Sequence, residues 1–180
     1  RWRRSSDGSP AIFSGNWRII LALTRSSVKP AFKVRLYRGE DREGLISVVN
    51  AVCAEGRWMR TRRFEPTPAW EHALANSDCP CHLLLMAIDG PRIIGWCRIF
   101  PTGEDREGEV GLGLLPPYRN QGLGTQMLRQ AVQWAKTRRF SRLILTTRAD
   151  NGRAICVFKS CGFTAAASNQ EGWMEMALSL

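Results

Sequence analysis

The sequence predicts a mixed α/β (α+β) fold: a central mixed sheet of six or seven strands flanked by about four helices. Three observations predict it. Short apolar or alternating runs bounded by Gly, Pro, Asn and Asp recur along the chain, and amphipathic helical stretches separate them. With 180 residues and 44% apolar content, the chain is long enough for one full core and too short for two. Residues 31–180 are read as that single domain, and residues 1–30 as a basic, poorly specified extension with at most a short element around Trp17 to Leu23.

The elements follow in order. Ala31 to Tyr37 alternates Phe32, Val34 and Leu36 with Lys33 and Arg35, the pattern of a half-exposed strand. Arg42 to Glu55 repeats Leu45, Ile46, Val49, Val52 and Cys53 at helical spacing, with acids at its start. A basic loop leads to a second helix, Ala69 to Asn76. His82 to Ile88 and Arg92 to Phe100 form a hairpin around Asp89-Gly90-Pro91. Glu109 to Leu115 is the central strand, in which Gly113 predicts a bulge, because glycine weakens a regular ladder. Leu123 to Arg139 and Asn151 to Ser160 are helices, the second closed by Gly162. Arg142 to Thr147, Ala165 to Ala167 and Trp173 to Leu178 are the remaining strands.

The central stretch carries the most chemistry. Val110 to Leu115 is stopped by Pro116 and Pro117, neither of which can extend a ladder. Arg119-x-x-Gly122-x-Gly124 follows, and an amphipathic helix begins with Leu123, Met127, Leu128 and Ala131 on one side. Strand, glycine turn and helix in that order aim backbone N–H groups and the positive end of the helix dipole at one spot, where a phosphate can sit. Met127 stands where a dinucleotide fingerprint needs its third glycine, and no Gly-Lys-Ser/Thr follows to make a Walker loop.

Together with Asn151-Gly-Arg-Ala-Ile-Cys-Val-Phe-Lys-Ser-Cys-Gly-Phe163, this stretch resembles the acyl-CoA site of the GNAT superfamily of N-acetyltransferases. The resemblance runs from about Lys33 to the C-terminus and is specific in its second half. It implies a GNAT-like single domain that transfers an acetyl group from acetyl-CoA to a primary amine by direct attack in a ternary complex. The CoA pyrophosphate would lie on Arg119, Asn120, Gln121, Gly122, Leu123, Gly124 and Thr125. Gly113, Leu114 and Leu115 would present N–H groups to the pantetheine arm and the thioester oxygen, and Asn151 would contact the arm, with helix capping as its other role. Glu109 matches the position of a glutamate that takes the amine proton through water. Glu55 and His72 are rivals for that role. At the family's acidic tyrosine this chain has Phe158, which cannot protonate a thiolate but can pack beside the pantetheine end, leaving the proton to water, Cys156 or Ser160. The acceptor would enter near Glu55 to Phe64, with Arg57, Arg60, Arg62 and Arg63 facing an anionic group and Trp58 and Phe64 lining a slot.

Phe158 also motivates an alternative, an acyl-CoA-binding sensor on the same fold. A second alternative, nucleic-acid binding, comes from the net charge of +10. Against it, Arg1, Arg3, Arg4, Arg18, Arg25 and Lys29 with Asp7 alone put half of that excess into the first thirty residues, so nucleic acid is not expected as the partner. Dimers are frequent in the family, so the C-terminal strands or the Trp17 region could form a homodimer. No apolar run approaches the ~20 residues of a membrane span, and a cytoplasmic location is expected. The Arg/Ser-rich start overlaps in composition with a transit peptide. Six cysteines without a secretory signal are read as free, buried or half-buried thiols. Cys79-Pro-Cys81-His82 is weighed as a zinc motif but has no second ligand pair at finger spacing, so no metal is expected.

Overall fold

Seven strands form one sheet in the order β1-β2-β3-β4-β5-β7-β6 in the computed structural model, which describes residues 32–168 and 171–180. The basic extension and the element expected around Trp17 lie outside the described residues. The strands are β1 (Lys33–Leu36), β2 (Leu83–Asp89), β3 (Arg92–Pro101), β4 (Glu107–Leu114), β5 (Arg142–Arg148), β6 (Thr164–Ser168) and β7 (Trp173–Ser179). The helices are α1 (Arg42–Ala54), α2 (Pro68–Ala75), α3 (Leu123–Thr137) and α4 (Gly152–Ser160). Each expected element between residues 32 and 180 is present, with ends shifted by a residue or two. Every neighbouring pair is antiparallel except β4 and β5, which run parallel.

The sheet separates two cores. On one side Leu83, Leu85, Val110, Leu143, Leu145 and Met176 pack against Leu123, Met127, Leu128 and Ala131 of α3 and Phe158 of α4. The helical spacing of the α3 residues puts all four on one stripe, and that stripe meets the sheet. On the other side Leu45, Val49, Val52 and Cys53 of α1 and Trp70, Ala73 and Leu74 of α2 cover Leu84, Met86, Trp96 and Phe100. A register shift at Ala87/Ile88 leaves Ile94 as the extra residue between Ile93 and Gly95, so that Ile93 and Trp96 share one core while Ile94 and Cys97 join the other.

The expected bulge at Gly113 is absent. β3 and β4 keep continuous register from Gly95↔Leu114 to Pro101↔Gly108, and Gly113 lies opposite Trp96. The glycine has a different reason: a Cβ there would overlap the Trp96 ring, so the indole can lie across the strand only over a residue without a side chain.

The cysteine expectation also needs correcting. Cys53 and Cys97 are buried free thiols, and burial pushes the Cys97 thiol up to about 12. Cys156, however, is exposed, because it sits on the solvent side of α4. Cys79 and Cys81 are joined as a disulfide, their sulfurs brought together by a separation of two residues.

Candidate functional site

The parallel seam between β4 and β5 is short. It pairs Glu107 with Arg142, Gly108 with Leu143 and Glu109 with Ile144, and then stops. Beyond it β4 stays paired with β3 up to Leu114, and β5 stays paired with β7 up to Arg148. The two strands therefore diverge, and the second half of β4 has an open edge inside the sheet.

Ladder alternation identifies the groups on that edge. Thr102 donates to the Glu107 carbonyl at one end and Leu115 donates to Ile94 at the other. Backbone groups of Glu109, Gly111, Gly113 and Leu115 accordingly face β3, while those of Val110, Leu112 and Leu114 face the gap. The donors expected at Gly113 and Leu115 are thus turned into the ladder; of the three expected residues, Leu114 alone offers its N–H to the gap, joined by Leu112, which sequence reasoning missed. Only the strand phase distinguishes them, and a supposed bulge shifted it by one.

At the head of the gap lies the glycine turn. Asn120 and Gly122 adopt left-handed φ of 62° and 79°, and the first bond of α3 closes from Gln126 N–H to the Gly122 carbonyl. Leu123, Gly124 and Thr125 therefore start the helix with N–H groups that have no helix carbonyl to bind. Gly122 caps without a side chain, and no acid stands in the first turn, so nothing there competes with an anion. A Cβ at Gly122 would meet nothing within 4 Å, so its glycine is required by φ, not by crowding.

Arg119 does not face the anion position. Its Nε donates to the Leu114 carbonyl at 2.8 Å, and its two terminal nitrogens grip Glu55 at 2.8 and 2.5 Å. Its own N–H reaches the Pro116 carbonyl. Expected as a phosphate ligand, its side chain here spans the end of α1 and the splayed end of β4, held by Glu55 and the Leu114 carbonyl. The same pairing occupies Glu55, the first rival base. Gln121 donates to the Pro117 carbonyl at 2.7 Å and stiffens the turn.

Glu109 sits just where the seam ends, with its side chain on the α1–α2 face of the sheet. Arg98 of β3 donates to its carboxylate at 3.2 Å and to its carbonyl at 3.3 Å. The guanidinium rests on the rings of Phe100 and Trp70, 4.6 and 5.7 Å from their centroids, and lies over Gly111. Arg98 was not singled out in the sequence; the signal was its place opposite Gly111 in the hairpin, readable only once the register is known. The second carboxylate oxygen of Glu109 has no hydrogen bond among the described residues.

Asn151 caps α4, accepting from Ala154 N–H at 3.3 Å, so the capping role is present. Phe158 is buried in the α3–α4 core with its ring 6.2 Å from Phe163. Ser160 gives its hydroxyl to the Val157 carbonyl in its own helix, which ties it up as a proton donor.

A cleft of about 470 Å³ opens at the far ends of β5 and β7, lined by Gly56, Arg57, Met59, Arg60, Arg148, Asp150, Glu171 and Trp173. Arg60 and Arg148 stack on Trp173 at 5.0 and 5.6 Å. Of the residues expected to line an acceptor site, Arg57 and Arg60 line this cleft. Trp58 stacks under Arg57 and Arg153, while Phe64 packs into the α1–α2 core against Trp70 at 5.0 Å. His72, the second rival base, stacks edge-on beside His82, ring centroids 5.6 Å apart.

A sheet opened between two parallel strands, with free N–H groups along one lip and a bare helix start at its head, is a site for an extended ligand that ends in phosphate. That is the architecture of an acyl-CoA-dependent acyltransferase. The model of the acetyltransferase (GNAT) family matches residues 48–163, and the chain belongs to that family. Over 86 residues it is 28% identical to the mycothiol acetyltransferase of Corynebacterium glutamicum (strain R), a stretch of 48% of this chain and 30% of that relative. The chain thus spans under a third of the length of that curated relative. The crystal structure of a GNAT-family acetyltransferase from Streptococcus pneumoniae superposes with a TM-score of 0.71 at 22% identity, covering 83% of this chain and 99% of that one. The yncA structure from Salmonella typhimurium, solved with acetyl-CoA as its cofactor, gives 0.68 at 16% identity, covering 82% and 93%. These two likenesses are of fold. Among the described residues no helix is long and apolar enough to cross a membrane.

Proposed function

We propose that this chain moves the acetyl group of acetyl-CoA onto a primary amine by direct attack within a ternary complex. The observation that carries the reading is the gap between β4 and β5, with donors along β4, the open start of α3 at its head and Glu109 at its foot. The pyrophosphate is assigned to the N–H groups from Gln121 to Thr125, and the pantetheine arm to Leu112 and Leu114 as a surrogate strand.

A primary amine is almost wholly protonated at neutral pH, since its pKa is near ~10. Glu109, directly or through one water, takes that proton, and the freed lone pair attacks the thioester carbon. The developing oxyanion is held by the gap-facing N–H of Leu114 or Leu112. The C–S bond breaks, the thiolate leaves, and the second amine proton passes to sulfur by way of solvent. A thiol pKa near ~8.5 makes the thiolate a fair leaving group, which fits a buried phenylalanine at position 158. Arg98 anchors Glu109 through one carboxylate oxygen and leaves the other for the proton.

The acceptor is assigned to the cleft of Arg57, Arg60, Arg148 and Trp173, whose guanidiniums suit an amine that also carries a carboxylate or phosphate. Calorimetry with acetyl-CoA, followed by thiol release across amines with and without such a group, tests the reading. Gly122→Glu should abolish acetyl-CoA binding, and Glu109→Gln should retain binding while lowering turnover ~10²-fold or more. Tight binding with no turnover on any amine would favour the acyl-CoA sensor, for which Phe158 is the supporting observation. Absence of binding would reject both.

A further inference from the structure

His72, Cys79, Cys81 and His82 come from the last turns of α2, the loop after it and the residue before β2, and their donor atoms lie within 4.8 Å of one another. His72 Nε2 is 3.5 Å and His82 Nδ1 is 3.4 Å from the Cys81 sulfur. Sulfur and nitrogen bound to one tetrahedral zinc ion, at ~2.3 and ~2.05 Å, sit about 3.5 Å apart. These two S···N edges match that tetrahedron. His82 is 6% exposed, its Nε2 has no hydrogen-bond partner, and its other ring nitrogen faces only the Cys81 sulfur. No ordinary polar contact fixes this buried imidazole, so its orientation is explained by the cluster. His72 has its Nδ1 against the Asn76 amide at 3.4 Å, which turns Nε2 toward the same sulfur.

We infer that, with both cysteines reduced, these four side chains hold one divalent cation of the zinc type as a closed, structural Cys₂His₂ centre. The order His-x₆-Cys-x-Cys-His does not have finger spacing, which is why the sequence conceals it. The missing ligand pair is completed in space by His72. All four positions carry a protein ligand, so the centre has no open site for substrate and serves as a clip. It ties α2 to β2, and thereby fixes Trp70 and Phe100, the aromatic bed on which Arg98 lies.

The disulfide and the metal centre are alternative states of the same sulfurs. A dithiol reductant gives two electrons and two protons to the Cys79–Cys81 bond, becoming a disulfide itself and leaving two thiols. The cation then displaces both thiol protons to solvent and bonds to two thiolates and two neutral imidazoles.

The test is zinc titration of the full reduced chain against a chromophoric chelator, with metal content by mass spectrometry after dialysis and the cobalt-substituted spectrum as a second readout. One zinc per chain, with a thiolate-to-cobalt charge-transfer band and tetrahedral d–d bands, is the expected result. Cys79→Ser with Cys81→Ser should remove the metal and the band, and His72→Ala, at an exposed position, should weaken binding at least ~10-fold while circular dichroism stays unchanged. The oxidised chain should also bind at least ~10-fold more weakly than the reduced one. Reduced protein holding less than about a tenth of an equivalent, equal binding by the cysteine variant or by the oxidised chain, or an octahedral cobalt spectrum would each overturn the inference.

Discussion

The two faces of the sheet differ in kind. The α3–α4 face is an apolar interior of Leu, Val, Met, Ala and Phe side chains. On the α1–α2 face polar groups are set among the apolar ones: Arg98 with Glu109, Arg35 with Asp41, and His82 beside His72 and Cys81. One face has the task of being stable; the other has to hold charge close to a core. The comparison teaches that β4 is shared unequally: its even residues Gly108 to Leu114 pack on the α3–α4 side and turn their backbone to the gap beside β5, and its odd residues Glu109 to Gly113 lie on the α1–α2 side.

That contrast can be broken first by cavity formation. Phe163→Ala removes a ring that is 1% exposed in the α3–α4 core and should cost about 3–5 kcal/mol in denaturant unfolding. In the protein that remains folded, the acceptor KM should hardly move. A comparable change in acceptor KM and in stability would erase the distinction between the faces.

A smaller effect is expected at the brace. Arg119→Ala leaves Glu55 half-buried and unpaired and frees the Leu114 carbonyl, a loss of about 1–3 kcal/mol. Because the brace sets the splayed end of β4, acetyl-CoA affinity should fall as well, measured by calorimetry beside the melt. Unchanged affinity would show that the gap keeps its width without Arg119.

The acid limb of stability offers a third test. Hydrogen bonding from Arg35, opposed by burial and helped by Arg38 N–H, holds the Asp41 carboxyl below the usual carboxylate range. A depressed folded pKa stabilises above the unfolded value near ~4 and loses that contribution as pH falls through the folded value. Arg35→Ala should therefore lower stability at neutral pH and flatten its decline below that unfolded value, in urea unfolding at a series of pH values. Tyr118→Phe marks the low end: it removes a 3.0 Å bond to exposed Asp89 and should leave the urea midpoint unchanged within error.

Much of the α3–α4 face was legible. The stripe Leu123, Met127, Leu128 and Ala131, the proline stop at Pro116 and the glycine turn at Gly122 are local signals, and each element appears where they place it. The α1–α2 face was legible in outline, since Leu45, Val49 and Val52 repeat at helical spacing. Its polar pairs were not. Arg98 and Glu109 are eleven residues apart, and Arg119 and Glu55 sixty-four; partners at such distances follow from strand register and helix placement, not from local pattern. Gly113 misled for the same reason. A glycine that permits a bulge and a glycine that makes room for Trp96 look alike until the neighbouring strand is in place.

The sequence by itself determined the order of the elements between residues 32 and 180 and the glycine turn that starts α3, because propensity, periodicity and turn chemistry act within a few residues of each other, while the family was legible as a resemblance carried by the Arg119–Gly124 and Asn151–Phe163 motifs. Only the tertiary structure decided which N–H groups of β4 face the gap beside β5, that Arg119 pairs with Glu55, and that His72 lies beside Cys79, Cys81 and His82. Those outcomes depend on strand phase, on the splay of β4 from β5 and on the packing of α2 against β2, and each couples residues that the chain brings together only when the sheet is formed.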